Sequence, residues 1–193
     1  LIFLRHGETQ SNCGKTYCGW TDPELNARGK EQAQKAAEKL AALEIEKIYS
    51  SPLKRAMETA DVVNSRLGLE IICRDELKER NFGVWDDLTY EQICNSFPEE
   101  VRLWERDWLN YRIQNGESAL DMFQRVAGFV DELVKQGGNS VLLVTHLGCI
   151  RAAVSHLLGM GTEGMWRFRV DNGSISRICI NNEGYAYLTA LNV

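Results

Sequence analysis

Residues 1–9 read LIFLRHGET, four apolar residues followed directly by an arginine, a histidine and a glycine. The apolar run predicts a buried β-strand, and open α/β sheets bind ligands beyond the carboxyl ends of such strands. Arg5 offers a planar fork suited to phosphate oxygens. His6 offers a ring nitrogen that can attack near neutral pH, and Gly7 lets the backbone turn tightly beside it. The stretch therefore predicts an anion site with a nucleophile.

A second apolar run ends in a similar way. Residues 141–144 read VLLV, the pattern of a strand covered on both faces, and His146 follows after one threonine. Two of the three histidines thus lie just past buried strands, which indicates a shared site rather than two loop histidines without a role. His156 lies in a helical stretch and is expected to be an ordinary helix residue.

Helical patterns separate the predicted strands. Asn26 is expected to cap one helix, and Ser51 with Pro52 to open the next. The latter assignment puts Arg55 in a first helical turn, where an anion is favoured, although most arginines at such a place are simply solvated. Ser118 resembles the start of a capping box for a long helix that ends at Gly137.

The alternation of strands and helices predicts an α/β fold, a three-layer α/β/α sandwich with a mostly parallel central sheet. The length suits a single domain over residues 1–193, with a terminal β-hairpin within 176–191. Residues 86–117 are polar and rich in tryptophan, and we interpret them as a lid over the active-site edge.

Charge and composition restrict the partners. The net charge of −5 argues against nucleic acid and anionic membranes, so an anionic substrate needs a local cationic pocket. No apolar stretch reaches membrane-spanning length and no secretory signal precedes the first strand, which favours the cytoplasm. The expected partner is a small phosphorylated metabolite, and a homodimer is left open.

The cysteines argue against a zinc site, a disulfide framework and a cysteine-dependent phosphatase. The six are scattered without a C-x-x-C pair, so neither a zinc site nor a disulfide framework is expected, and free thiols fit a reducing compartment. A cysteine-dependent phosphatase needs an arginine six residues after its cysteine, and none of the six has one.

Taken together, these motifs resemble a known family. RHGET at 5–9, followed by Asn12, is similar to the histidine phosphatase superfamily, in the branch that includes the cofactor-dependent phosphoglycerate mutases. Further similar segments follow in the family's order along the whole chain: GWTD at 19–22, LNARG at 25–29, SSPLKRA at 50–56, LKERNFG at 77–83, GES at 116–118 and VTH at 144–146.

The resemblance implies a two-step phosphoryl transfer that needs no metal or other cofactor. It implies that His6 attacks phosphorus and becomes a phosphohistidine, and that Glu79 protonates the leaving oxygen and then serves as base for water. The local pattern alone does not distinguish Glu79 from its acidic neighbours. The resemblance further implies phosphate contacts from Arg5, Arg55, His146 and Asn12, and candidate phosphate or substrate contacts from Cys18, Gly19, Leu147 and Gly148.

The sequence also bears on which activity within this family the chain has. Only 67 residues separate Glu79 from His146, a shorter interval than in the mutases, which favours a phosphatase with an open lid. Residues 79–91 look most like alpha-ribazole phosphatases of the cobalamin pathway, which implies alpha-ribazole 5′-phosphate as substrate. Such a substrate could lie under Trp104 or Trp108, unless these side chains pack within the lid. The alternatives are a broad-specificity or sugar-phosphate phosphatase, a phosphoglycerate mutase, and a phospho-ligand-binding protein without turnover.

Overall fold

A computed structural model of the chain describes residues 1–138 and 140–193, which form one six-stranded sheet with helices on both faces. The strands are β1 (Ile2–Arg5), β2 (Lys47–Ser50), β3 (Ile71–Cys73), β4 (Val141–Thr145), β5 (Ile175–Ile180) and β6 (Ala186–Ala190). The helices are α1 (Gln10–Gly14), α2 (Ala27–Leu40), α3 (Lys54–Leu67), α4 (Tyr90–Ser96), α5 (Pro98–Arg106), α6 (Ala119–Gln136) and α7 (Leu147–Leu157). Within the described ranges, no helix is both long and apolar enough to cross a membrane.

The strand order places the predicted functional residues at neighbouring strand ends. The order is β3-β2-β4-β1-β5-β6, with the first four strands parallel and β5 antiparallel to both of its neighbours. In the β1–β4 pair Arg5 lies opposite Thr145, so the residues that follow them emerge side by side. The mostly parallel sheet and the terminal hairpin are confirmed.

Two apolar layers lie on opposite faces of the sheet. On one face Leu4 and Val144 pack with Ala36 of α2 and Ala60 of α3. On the other face Phe3, Tyr49 and Leu143 belong to a cluster with buried residues of α6 and α7. Each layer buries apolar area, which stabilises the folded state by about 25 cal/mol per Å². The sheet beneath the site is therefore packed on both faces. The predicted three-layer sandwich is confirmed.

The helix starts test the predicted caps. Asn26 caps α2 by accepting from the Gly29 amide, and Ser118 forms a capping box with Asp121 at α6, both as predicted. The predicted start at Ser51 is wrong, because α3 begins at Lys54. The Ser51 amide donates to the Val144 carbonyl of β4 (3.0 Å), so this residue is bound to the sheet just beyond β2 instead of opening a helix.

The stretch 86–117 contains α4 and α5, and together with Trp85 it forms a small apolar cluster. Buried Trp85, Ile93, Val101 and Ile113 form its centre. Trp104 packs edge-to-face on Trp85 with 5.9 Å between ring centroids, which is a favourable geometry for an aromatic pair. The segment is therefore held together by its own core, separate from the two layers of the sheet.

Candidate active site

Three parallel strands deliver a polar side chain each to one edge of the sheet. His6 follows β1, Ser51 follows β2 and His146 follows β4. The two imidazole centroids lie 5.0 Å apart with the rings tilted by 58°. All three residues are at most 4% exposed, so they form the floor of the site.

The hydrogen bond of His6 defines which ring nitrogen is free. Its Nδ1 lies 2.7 Å from the Gly7 carbonyl oxygen, which can only accept, so Nδ1 carries the proton and Nε2 keeps its lone pair. Burial first, and then the charges of Arg55 and Arg5, hold the pKa of His6 well below 6.5. The ring is therefore neutral and presents a nucleophilic nitrogen.

His146 is fully buried and is oriented by a residue to which sequence reasoning gave another role. Its Nε2 lies 2.8 Å from Ser51 Oγ, which accepts from the Leu53 amide (3.3 Å) and can donate its own proton to Nε2, so that Nδ1 carries the proton of the neutral ring. Burial, followed by the charges of Arg55 and His6, holds the pKa of His146 well below 6.5. The signal for Ser51 was available, since it follows a buried strand as the two histidines do.

Three buried side-chain nitrogen atoms around His6 have no hydrogen-bond partner among the described residues: Nε of Arg5, Nε of Arg55 and Nδ1 of His146. Burial is also the main cause that lowers the pKa of Arg5, to about 10, which leaves it charged at neutral pH. Unpaired buried polar atoms are costly in a native protein and call for an explanation. Oxygen atoms of a bound anion would satisfy them.

Both arginines also fix neighbouring loops. Arg5 Nη1 donates to the Val170 carbonyl at 2.7 Å. Arg55 is 1% exposed and donates to the carbonyls of Thr21 (2.9 Å) and Gly19 (2.7 Å). These bonds orient each guanidinium without consuming its Nε, so both remain able to contact an anion.

Glu79 is 8% exposed and is held by two backbone amides. Its Oε1 accepts from Arg80 (2.9 Å) and its Oε2 accepts from Gly148 (3.0 Å), at the start of α7. The helix start follows His146 directly, so the same turn of chain positions both the carboxylate and the second histidine.

Arg125 on α6 secures the backbone that carries Glu79. Its Nη1 donates to the carbonyls of Glu76 (2.8 Å) and Lys78 (2.9 Å), and its Nη2 donates to that of Glu79 (3.4 Å). Glu117 fixes the guanidinium in turn through a half-buried ion pair of 2.9 Å. No sequence pattern pointed to this arginine, because its partners are carbonyl groups of a distant segment.

Two asparagines tie the loop after β1. Asn12 Oδ1 accepts from the Thr9 amide (3.0 Å) and from Asn172 Nδ2 (3.1 Å), which assigns the amide so that its own Nδ2 remains a donor. Asn172 Nδ2 also donates to the His6 carbonyl at 3.1 Å. Asn172 was not anticipated, because it reaches the site from a loop more than 150 residues away.

A cleft of about 540 Å³ opens above these residues. Seven predicted site residues line it: Arg5, His6, Asn12, Cys18, Glu79, Leu147 and Gly148. Arg55 and His146 do not line the cleft and are buried beneath it. In residues 1–138 and 140–193, no three His, Cys, Asp or Glu side chains form a group able to hold a metal ion.

Gly19 also does not line the cleft, and both of its backbone groups are occupied. Its amide donates to Asp86 Oδ1 at 2.7 Å, and Asp86 Oδ2 accepts from the amides of Trp20 and Thr21, both at 2.8 Å. Asp86, to which the sequence assigned no role, thus caps the whole loop. The position also requires glycine, because a Cβ there would lie 2.5 Å from the Arg80 carbonyl oxygen.

Gly148→Ala is expected to lower turnover by roughly 10- to 100-fold with little loss of folded protein, because a misplaced catalytic group is costly. A Cβ at this position would overlap Glu79 Oε1 and lie 2.9 Å from Met122 Sδ, so the carboxylate must shift. The measurement is steady-state kinetics beside circular dichroism. Gly128→Ala, where a Cβ meets open space on α6, is the matched control. Equal activity of both variants would contradict the expectation.

The two neutral histidines should also make the ligand-free protein less stable in mild acid. Both have a native pKa well below 6.5, so between pH 6.5 and 5.5 only the unfolded state gains their protons. For each histidine, the free energy of unfolding should then decrease by up to about 1.4 kcal/mol for every unit by which the pH is lowered. Urea unfolding at several pH values tests this. His146→Gln should remove about half of the slope, and an unchanged slope would contradict the argument.

Comparison with known proteins agrees with this geometry. The model of the histidine phosphatase superfamily (branch 1) matches residues 1–192. The chain is 37% identical to phosphoserine phosphatase 1 of Hydrogenobacter thermophilus, over 92% of this chain and 85% of that one. It is 36% identical to adenosylcobalamin/alpha-ribazole phosphatase of Escherichia coli, over 100% and 95%. The crystal structure of the alpha-ribazole phosphatase from Shigella flexneri superposes with a TM-score of 0.94 at 36% identity, covering 100% of this chain and 95% of that one. The chain therefore belongs to branch 1 of the histidine phosphatase superfamily and is a phosphatase of that type.

Proposed function

We propose that this protein hydrolyses phosphomonoesters without a metal, through a phosphohistidine on His6. The observation that carries the proposal is the free Nε2 of a neutral His6, surrounded by three unpartnered nitrogen atoms of Arg5, Arg55 and His146. A nucleophile beside a preorganised set of donors is the arrangement that phosphoryl transfer requires.

In the first step the His6 lone pair forms a P–N bond while the bond from phosphorus to the leaving oxygen breaks. Glu79, in its acid form, gives its proton to that oxygen, and the alcohol departs. The donors of Arg5, Arg55 and His146, with the Asn12 amide, offset the charge on the three equatorial oxygens.

In the second step the Glu79 carboxylate takes a proton from water, whose oxygen attacks phosphorus. The P–N bond breaks, inorganic phosphate leaves, and His6 and Glu79 return to their starting forms. The two backbone amides on Glu79 keep its carboxyl group in place for both transfers.

We further propose alpha-ribazole 5′-phosphate as the substrate. Two alpha-ribazole phosphatases resemble this chain along its whole length. The cleft wall supports the same choice, because it combines the cations near His6 with aromatic rings farther out: Tyr17, Phe82, Trp104, Trp108 and Trp166. Such a wall fits a substrate that carries a phosphate at one end and a flat base at the other.

A second substrate class has one specific observation in its favour. Arg151 lines the cleft and its Nε is buried without a partner among the described residues. Lys15 lines the cleft as well. Such cations would suit a phosphomonoester with a carboxylate, and the Hydrogenobacter relative is a phosphoserine phosphatase.

The protein is expected to act in the cytoplasm on small metabolites rather than on nucleic acid, given its net charge of −5.

Phosphate release in excess EDTA tests the proposal. The panel contains alpha-ribazole 5′-phosphate, phosphoserine, 3-phosphoglycerate, fructose 2,6-bisphosphate and an aryl phosphate. Turnover that EDTA leaves unchanged is expected, with alpha-ribazole 5′-phosphate as the best substrate. A preference for phosphoserine would select the second class. Activity that EDTA abolishes would overturn the metal-independent mechanism.

A further inference from the structure

Trp166 is the most exposed tryptophan of the cleft wall. It is 58% exposed, whereas the residue before it, Met165, is 3% exposed and belongs to the core beneath. A large ring that stays in water beside a substrate cleft loses the benefit of burial unless a ligand covers it. The chemical steps proposed above do not use Trp166, and the proposed substrate names it only as one of five rings on the cleft wall.

The backbone that carries Trp166 is fixed. It ends a 3₁₀ turn, Thr162–Trp166, that packs on α7. Ser155 Oγ donates to the Gly161 carbonyl oxygen, and a Cβ at Gly164 would overlap Ser155 and lie 2.4 Å from Met160 Cβ. The ring is therefore presented by a close-packed turn, which limits the entropy lost when a ligand binds to it.

Two further side chains flank Trp166 and form a corner with it. The Trp108 ring meets it nearly edge-on, with 5.4 Å between centroids and 75° between planes. The Arg151 guanidinium lies over the Trp166 ring, 5.5 Å from its centroid. We call these three residues the aromatic platform. Trp104 is not part of it, because that ring packs on Trp85 in the apolar cluster that also holds Ile93 and Val101.

We infer that the aromatic platform stacks a flat ring of the leaving group, so that Trp166 selects phosphomonoesters that carry an aromatic base. Indole and guanidinium planes both stack on bases, and the interaction tolerates different ring identities. The inference rests on the proposed function, because the phosphate must occupy the His6 end while the base lies on Trp166. It deepens that function by naming the group that recognises the leaving alcohol.

The test compares two substrates that differ only by a base. AMP and ribose 5-phosphate share the phosphate and the sugar, and only AMP carries an aromatic base. Trp166→Ala should lower kcat/KM for AMP by about 5- to 100-fold, the effect of losing one base–aromatic stack, and change ribose 5-phosphate by less than about 2-fold. Trp166→Phe should keep most of the preference. Tyr187→Ala, an exposed aromatic on β6 that does not line the cleft, is the matched control.

The outcomes separate this inference from the proposed function. If the wild type fails to hydrolyse an aryl phosphate, the proposed phosphatase mechanism itself is wrong. Normal aryl phosphate turnover with equal losses for AMP and ribose 5-phosphate in Trp166→Ala would overturn only the platform. A second pair, 3-phosphoglycerate and glycerol 3-phosphate, tests Arg151. One combined result would show that the inference is wrong. In it, Arg151→Met removes a wild-type preference for the substrate with a carboxylate, and Trp166→Ala leaves the preference for AMP unchanged. The site would then select its substrates by charge and not by stacking. Thermal melts of each variant exclude misfolding as the cause.

Discussion

His6→Ala is expected to lower turnover of every phosphomonoester by about 10⁴-fold or more, because it removes the nucleophile on which both chemical steps depend. The remaining donors can still bind phosphate, so KM should change far less than kcat. The measurement is steady-state phosphate release. His156→Ala is the matched control, because this histidine lies on α7 outside the cleft, where it pairs with Asp131 (2.8 Å).

The covalent intermediate provides a second readout for the same variant. Rapid acid-free quenching of the wild type with a labelled aryl phosphate should trap label on one histidine, in a form stable to base and labile to acid. His6→Ala should trap none, and His156→Ala should trap as much as the wild type. Label retained in His6→Ala, or located at His146, would contradict the assignment of the nucleophile.

Glu79→Gln is expected to slow turnover of a poor leaving group by about 10²-fold or more, and that of an activated aryl phosphate much less. The amide cannot pass a full proton to an alkoxide, whereas an aryl oxide needs little protonation to leave. The glutamine oxygen can accept from only one of the two amides that bond the carboxylate, because its NH₂ group is a donor and faces the other amide. Any loss caused by this misplacement should be the same for both substrates, so the difference between them reports the proton transfer. The measurement is kcat/KM for an alkyl and an aryl phosphate.

The control for this prediction is Glu76→Gln. Glu76 lies three residues earlier on the same segment, and its carboxylate pairs with Arg74 at 3.1 Å outside the cleft. It should retain the wild-type ratio between the two substrates. Equal losses on both substrates in Glu79→Gln would remove the acid/base role and leave a positioning role only.

Much of the fold could be predicted because the chain marks its elements locally. Apolar runs such as 141–144 define buried strands, and Asn26 and Ser118 define helix starts through their own caps. The start of α3 could not be predicted in this way. Ser51 has the chemistry of a cap, but its amide pairs with Val144 and its hydroxyl with His146, which are tertiary contacts that override local preference.

The site residues likewise include some that could be predicted from local sequence and some that could not. His6 and His146 follow two parallel strands, whose carboxyl ends lie at the same edge of the sheet, so a shared site could be expected. Arg125, Asn172 and Asp86 could not be found, because each acts through backbone groups that lie far away in sequence. A side chain that bonds carbonyls or amides needs no particular partner residue, and it therefore leaves no recognisable pattern.

The unpartnered nitrogen atoms beneath the cleft have a consequence for how the enzyme releases its product. Inorganic phosphate offers the same oxygens as the substrate to Arg5, Arg55 and His146, and its departure leaves their buried atoms unsatisfied again. The empty enzyme is thus the less stable state, and free phosphate should raise its melting temperature by mass action. Where phosphate is plentiful, the occupied form becomes the resting state, and turnover follows the ratio of ester to phosphate more closely than the ester concentration alone.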